Sequence, residues 1–217
     1  MTRRLKISQH PLSFVAFVFF VAACAAPPPS SFAGGGGKPA QAKQDQLLHG
    51  RFLVLTHACG DCHGGGTNPA AFGWLDGMRD TLTQQFRVGP FVTRPKNLTP
   101  HNTTGTGRFS ERQIFNALRY GLRPEETPDV EITSAVPGQG NFPGHPHYLA
   151  IPMPWPSWRH MPDADLWAIA AYLKSLKPSD HKVQDSDGPP DFWASEYTVE
   201  KIGPYPALPY PTANEKR

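Results

Sequence analysis

The sequence has few cysteines, and this scarcity limits the metal sites that it can form. Only three occur among the 217 residues, Cys24, Cys59 and Cys62. Cys24 closes an apolar N-terminal segment, so two cysteines remain for the folded part of the chain. A four-cysteine zinc site is therefore excluded, and a site of two cysteines and two histidines would lack a second close pair of ligands.

The chain also lacks an internal repeat, and it has no excess of positive charge beyond its N-terminal segment. No solenoid period is present, so we expect one domain of ordinary size. The formal net charge of +3 comes from Arg3, Arg4 and Lys6, because no acidic residue precedes Cys24. Without these three, 18 of the 21 Lys and Arg residues balance 18 Asp and Glu residues. Because the remaining charges balance, we expect no basic surface for nucleic acid and no nucleic-acid partner.

The N-terminal segment has the layout of an export signal. Three basic residues precede the apolar run LSFVAFVFFVAAC, which is too short for a comfortable membrane span. The run ends in VAAC, which resembles a bacterial lipobox, in which the cysteine receives a diacylglycerol and becomes the new N-terminus. We therefore predict that residues 1–23 are a lipoprotein-type signal peptide and that lipidated Cys24 anchors the chain to a membrane in the bacterial periplasm.

Cleavage further along the chain is the alternative to lipidation. Small residues such as Ala26 and Ala33 would permit it, and Cys24 would then be discarded. An exported chain rarely keeps one unpaired cysteine, which favours the lipidated form. Residues 24–43 are rich in Pro, Gly, Ser and Ala, and we predict that they form a flexible tether.

The most informative motif is CGDCH, from Cys59 to His63. Two cysteines at this spacing can each form a thioether with a haem vinyl group, and the adjacent histidine is then the proximal iron ligand, which is the c-type attachment signature. An exported thiol–disulfide protein is the alternative, since FLVLTHACGDC could form a strand that leads into a helix. The following HGGGTNPAAFG opposes this alternative, because three glycines and a proline should end any helix there.

Three segments have the apolar spacing of short helices. The first covers about 44–58 and leads into the motif. The second begins at Ser110, which forms an S-x-x-Q capping-box pattern with Gln113, and it ends near Gly121. The third covers about 163–176. With 25 prolines and 20 glycines elsewhere, the pattern predicts an all-α domain of three to five short helices around a haem, connected by long irregular loops.

Three stretches together resemble a known family over about residues 48 to 176. They are GRFLVLTHACGDCH, PKNLTPHNTTGTGRFSERQIFNALRYG and IPMPWPSWRHMPDADLWAIAAYLKSL. They are similar to a monohaem class I cytochrome c domain, particularly the mono- and dihaem cytochromes c of quinoprotein dehydrogenases. The resemblance implies a class I cytochrome c fold over residues 44–178, in which the first and last helices cross and Gly50 and Phe52 meet Tyr172. Residues 179–217 would be an extension.

The resemblance also implies one covalent haem c, attached through Cys59 and Cys62, with His63 and Met153 as the axial iron ligands. Met153 lies between two prolines, whose restricted backbone would hold the loop stiffly. Met161 has another explanation, since with Pro162 at a helix N-cap it takes the position of a hydrophobic staple. An iron with two protein ligands suits outer-sphere electron transfer.

We therefore expect an electron carrier without turnover of its own, alone or as a subunit of an oxidoreductase complex. It would take single electrons from a periplasmic dehydrogenase or quinol-oxidising complex and pass them to an oxidase or another cytochrome. The alternative is a haem enzyme or gas sensor in which the sixth position of the iron is open or weakly held.

Several further side chains are candidates for smaller roles. The cations that could pair with haem propionates are Arg87, Arg94, Lys96 and Arg119. The histidines expected to be loop residues rather than iron ligands are His101, His145, His147 and His160. The loop 123–148 and the extension could either cover apolar surface or dock a partner, and the aromatic residues concerned are Trp193, Tyr197, Tyr205 and Tyr210.

Overall fold

A computed structural model of the chain describes residues 39–79, 85–187 and 190–203. The predicted signal peptide, Cys24 and the greater part of the predicted tether lie outside these ranges. Within them, none of the helices is both long enough and apolar enough to cross a membrane. The α-helices and strands of the described part are α1 (Pro39–Thr56), α2 (Cys59–His63), β1 (Phe86–Val88), β2 (Phe91–Thr93), α3 (Glu111–Tyr120), α4 (Trp155–Trp158), α5 (Asp163–Ser175) and α6 (Val199–Ile202). Short 3-10 helices lie at Thr106–Arg108, Pro124–Glu126 and Pro190–Glu196.

Helix α1 begins earlier than the sequence predicted. It starts at Pro39, so residues 39–43 of the predicted tether belong to the first helix. A proline is tolerated there because the first turn of a helix needs no donated backbone hydrogen bond. The helix ends at Thr56, and Ala58 then takes a left-handed conformation with φ of 54°. This turn leads directly into α2.

The predicted crossing of the first and last helices is present between α1 and α5. A Cβ atom placed on Gly50 would lie 2.0 Å from the carbonyl oxygen of Ala168 and 2.8 Å from Cβ of Tyr172. The helices therefore approach each other at a point that only glycine permits. The predicted contact of Phe52 with Tyr172 is wrong, because two residues turn an α-helix by about 200° and Phe52 is 59% exposed.

The second predicted helix, α3, has the predicted start and end. Ser110 Oγ accepts the backbone N–H of Gln113 at 3.1 Å, and Gln113 Oε1 accepts the backbone N–H of Ser110 at 3.0 Å. Gly121 ends the helix with φ of 68°. The buried Ile114 and Leu118 pack in one core cluster with residues of α1 and α5.

The third predicted helix, α5, is also present, and Leu166, Ile169 and Leu173 are buried on its inner face. The expectation of a purely α-helical domain is wrong in one respect, because β1 and β2 form an antiparallel hairpin in which Phe86 pairs with Thr93. Strands of three residues are too short to produce a recognisable alternation of apolar and polar residues.

The described part of the C-terminal extension covers apolar surface. Trp193 is 4% exposed and Tyr197 is 9% exposed. Both pack with the fully buried Trp155 of α4, and the ring centroids of Trp155 and Tyr197 are 4.7 Å apart. Tyr205 and Tyr210 lie outside the described residues.

Candidate functional site

The CGDCH motif forms α2, a helix of five residues that stops abruptly. Gly64 follows it with φ of 100°, in the region that favours glycine, and the backbone N–H of Gly66 returns to the carbonyl oxygen of Gly60 at 3.1 Å. A Cβ atom on Gly60 would lie 2.1 Å from the carbonyl oxygen of Gly66. The turn is therefore too tight for larger residues. Because a helix precedes α2 and α2 does not continue, the strand-to-helix arrangement of a thiol–disulfide protein is absent.

The two cysteines of the motif lie in a poorly solvated position and form no disulfide with each other. Cys59 is buried and Cys62 is half-buried. Burial raises the pKa of Cys59 to about 12, and it also raises the pKa of Cys62. Redox-active cysteines are reactive because their surroundings lower the thiol pKa. These shifts have the opposite sign, so the site does not support thiol–disulfide exchange.

His63 is held in one tautomer by the backbone of a distant segment. Its Nδ1 lies 2.7 Å from the carbonyl oxygen of Lys96, 33 residues further along the chain. A carbonyl oxygen can only accept, so Nδ1 carries the proton and the lone pair is on Nε2. Burial lowers the pKa of His63, which favours the neutral ring. A neutral imidazole whose outer N–H is fixed in this way is the form that binds metal ions.

A cavity of about 750 Å³ brings the predicted site residues together. Cys59, Cys62, His63 and Met153 all line it. The apolar side chains on its wall come from α1, α3, α5 and the loops between them, and they include Val54, Phe109, Ile114, Leu118, Ile169 and Leu173. Side chains from several segments between residues 54 and 193 therefore line one mainly apolar cavity beside the motif.

The three methionines of the described ranges occupy different positions. Met153 lines the cavity, and its backbone N–H donates to the carbonyl oxygen of Ala150 at 2.9 Å. Met161 does not line the cavity but packs against the core, and Pro162 is the N-cap of α5, as the staple interpretation predicted. Met78 is 2% exposed and also lies away from the cavity wall.

Of the four cations that the sequence singled out, two line the cavity. Arg94 is 8% exposed, and its Nη1 donates to the carbonyl oxygen of Asp185 at 2.6 Å, whereas its buried Nε has no hydrogen-bond partner among the described residues. Lys96 lies on the same wall. Arg87 is exposed, and Arg119 donates to the carbonyl oxygen of Met161 at 2.9 Å, so neither faces the cavity.

Sequence reasoning missed several residues of the cavity wall. Arg108 and Arg123 line it, as do six residues of the extension that the sequence placed outside the domain: Lys182, Val183, Asp185, Ser186, Asp187 and Trp193. Only Trp193 among them was a sequence candidate, as a residue that could cover apolar surface. The others follow no local pattern, because they meet the motif only through contacts between distant parts of the chain. The extension is thus part of the wall of the cavity.

The histidines that the sequence assigned to loops lie away from the cavity. None of His101, His145, His147 and His160 lines the cavity. His57 does, but its Nδ1 lies 2.9 Å from the carbonyl oxygen of Leu53, and its ring meets Trp158 edge-on. Within the described ranges, no group of three or more His, Cys, Asp or Glu side chains is placed to hold a metal ion.

Comparison with known proteins gives two relatives with related names. The chain is 32% identical over 151 residues to the gluconate 2-dehydrogenase cytochrome c subunit of Pantoea cypripedii. The matched region is 66% of this chain and 29% of that relative. The chain is also 25% identical over 150 residues to the fructose dehydrogenase cytochrome subunit of Gluconobacter japonicus. That matched region is 65% of this chain and 24% of that relative. No protein-family profile matches. The chain spans less than a third of the length of these curated relatives.

Proposed function

Because the chain is similar to the cytochrome c subunits of dehydrogenases, as its sequence motifs predicted, we propose that it is an exported electron carrier with one covalent haem c. Cys59 and Cys62 attach the haem, and His63 and Met153 are its axial ligands. The observation that carries this proposal is that one cavity is lined by both cysteines, the histidine and the methionine.

The chemistry of the cavity fits a haem. Its volume of about 750 Å³ falls in the range of cofactor pockets, and apolar side chains dominate its wall. Nε2 of His63 offers a lone pair. The buried Nε of Arg94 lacks a partner among the described residues, and a haem propionate supplies the carboxylate that such a donor needs. Lys96, Arg108 and Arg123 lie on the same wall, where Lys96 pairs with Asp185 at 3.0 Å and Arg108 pairs with Glu125 at 3.1 Å.

The residues of the site have separate tasks. When bound, haem supplies an iron that gains and loses one electron. His63 is oriented by the Lys96 carbonyl, the two thioethers hold the macrocycle in place, and the apolar wall excludes water. The Met153 thioether favours the reduced iron and gives a higher potential than a second histidine would. If His63 and Met153 both bind the iron, no open position would remain for a substrate, as expected for a carrier without turnover of its own.

The partners follow from the same proposal. Electrons enter from a periplasmic dehydrogenase or quinol-oxidising complex and leave to an oxidase or another cytochrome. The names of the relatives, which are cytochrome subunits of gluconate 2-dehydrogenase and fructose dehydrogenase, support a dehydrogenase as the donor. A subunit role in such a complex is part of the proposal.

The proposed location is the periplasmic side of a bacterial membrane. Residues 1–23 are removed as a signal peptide, lipidated Cys24 is the anchor, and the chain up to the start of α1 gives reach. One modification that carries several acyl chains is enough for stable anchoring. Mass spectrometry of the mature N-terminus is the test: a lipid on Cys24 is expected, and an unmodified peptide that starts after Ala26 or Ala33 would mean a protein without this anchor.

Acid–organic extraction tests the central claim. Thioether bonds should keep the haem on the denatured polypeptide, and replacement of both Cys59 and Cys62 by serine should release it. Haem that partitions into the solvent from the unmodified protein would contradict covalent attachment. An optical spectrum with and without carbon monoxide then separates a carrier from a haem enzyme or gas sensor, since gas binding by the unmodified protein requires an open or weakly held sixth position.

A further inference from the structure

The first part of the C-terminal extension lies along the segment that supplies the hydrogen-bond acceptor of His63. We call residues 179–187 the strap and residues 94–97 the acceptor segment, because Lys96 carries the carbonyl oxygen 2.7 Å from His63 Nδ1. Three of the four residues in the acceptor segment form hydrogen bonds with the strap: Arg94, Lys96 and Asn97.

Asn97 is the most deeply buried of these three residues, at 2% exposure. Its Nδ2 donates to the carbonyl oxygens of Ser179 at 2.8 Å and His181 at 3.1 Å. Its Oδ1 accepts from the backbone N–H of Thr99 at 2.8 Å and from Thr99 Oγ1 at 2.7 Å. One neutral side chain therefore fastens the residue next to the acceptor carbonyl to the start of the strap.

The C-terminal part of the strap, residues 184–186, binds Arg94 and the side chain of Lys96. The backbone N–H of Arg94 donates to Ser186 Oγ at 2.9 Å, and Arg94 Nη1 donates to the carbonyl oxygen of Asp185. Lys96 Nζ donates to Asp185 Oδ1 at 3.0 Å and to the carbonyl oxygen of Gln184 at 3.1 Å. Because contacts lie on both sides, the Lys96 carbonyl cannot move away from His63 without breaking several hydrogen bonds.

We propose that the strap is a positioning element, which sets the electron-donor strength of His63 by holding the Lys96 carbonyl against Nδ1. This inference rests on the proposed function, since it takes His63 as a ligand of the haem iron. A hydrogen bond at the outer nitrogen of a ligating histidine fixes the ring and raises its basicity. A more basic ligand stabilises the oxidised iron, so the intact strap lowers the midpoint potential of the haem.

The test uses the full chain with its haem and the substitution Asn97→Ala, with Asn102→Ala at an exposed asparagine of the same loop as the matched control. We expect the reduction equilibrium constant to rise about threefold or more in Asn97→Ala, which is about 28 mV for a one-electron couple at 59 mV per tenfold. Exchange of the His63 Nδ1 proton, followed by NMR, should become faster, because the hydrogen bond to the Lys96 carbonyl oxygen protects this proton. The control should change neither quantity.

The sign of the potential change separates positioning from a simple loss of structure. If Asn97→Ala only admitted water, the potential would fall, because water stabilises the more highly charged oxidised iron. A lower or unchanged potential overturns the inference and leaves the proposed function intact, whereas unmodified protein without covalent haem overturns both. If Asn97→Ala does not fold, Ser186→Ala replaces it, since it removes the acceptor of the Arg94 N–H and should raise the potential as well.

Discussion

The crossing of α1 and α5 makes one substitution, Gly50→Ala, unusually informative. Gly50 lies inside α1, where helix propensity alone predicts that alanine stabilises the protein by about 1 kcal/mol. The packing predicts the opposite, because the new Cβ atom would lie 2.0 Å from the carbonyl oxygen of Ala168, where ordinary contact begins at 3.4 Å. Two physical effects of opposite sign thus compete at one position.

The magnitude follows from what has to move. The contact is 1.4 Å too short, and the opposing atom belongs to the backbone of α5, so no side chain can rotate away. Overpacking of a core costs about 1–3 kcal/mol, occasionally more, and we place this case at the upper end. After the gain in helix propensity, the expected net loss of stability is about 2 kcal/mol. A domain of this size should then melt roughly 4–8 °C lower.

Thermal and urea unfolding, followed by far-ultraviolet circular dichroism of the haem-loaded protein, measure this loss. Gly144→Ala is the control, because a Cβ atom on Gly144 meets nothing within 4 Å, and we expect its stability to stay within about 0.5 kcal/mol of the wild type. An equal or higher stability of Gly50→Ala would refute the reasoning, since it would mean that the helices can separate without cost.

Three further predictions concern the proposed iron ligand, Trp193 and Tyr197. Met153→Ala should abolish the iron–sulfur charge-transfer band and permit carbon monoxide binding, whereas Met161→Ala should do neither; the reverse pattern would move the ligand to Met161. Trp193→Ala should lower the midpoint potential of the haem, because it admits water to the cavity. Phe72→Ala, at an 86% exposed position, should leave the potential unchanged. Equal potentials of the Trp193→Ala and wild-type proteins would argue against a role for Trp193 in covering the haem. Burial raises the pKa of Tyr197 from 10.0 to about 12, so this tyrosine ionises in the unfolded chain first, and the free energy of unfolding falls as the pH rises through that window. Tyr197→Phe should reduce the fall in the free energy of unfolding between pH 8 and pH 11, measured by urea unfolding. An undiminished fall would contradict the raised pKa of Tyr197.

The features that the sequence predicted well are those that depend on neighbouring residues. The capping box of Ser110 and Gln113, the stop at Gly121 and the inner face of α5 are local patterns, and the structure contains each of them. The glycines after CGDCH end α2 for an equally local reason, because they adopt backbone angles that other residues avoid. Turn chemistry and helical periodicity are written in adjacent positions, so they can be recognised without the fold.

The features that only the tertiary structure decided depend on contacts across the chain. The acceptor for His63 is a backbone carbonyl, which every residue possesses, so nothing in the sequence distinguishes Lys96. Whether Phe52 is buried or exposed depends on which side of α1 packs against α5. The strap and Trp193 reach the cavity wall only because the chain returns to it more than 80 residues after the acceptor segment. Side-chain types determine which chemistry is possible, but chain topology determines which of them share a cavity.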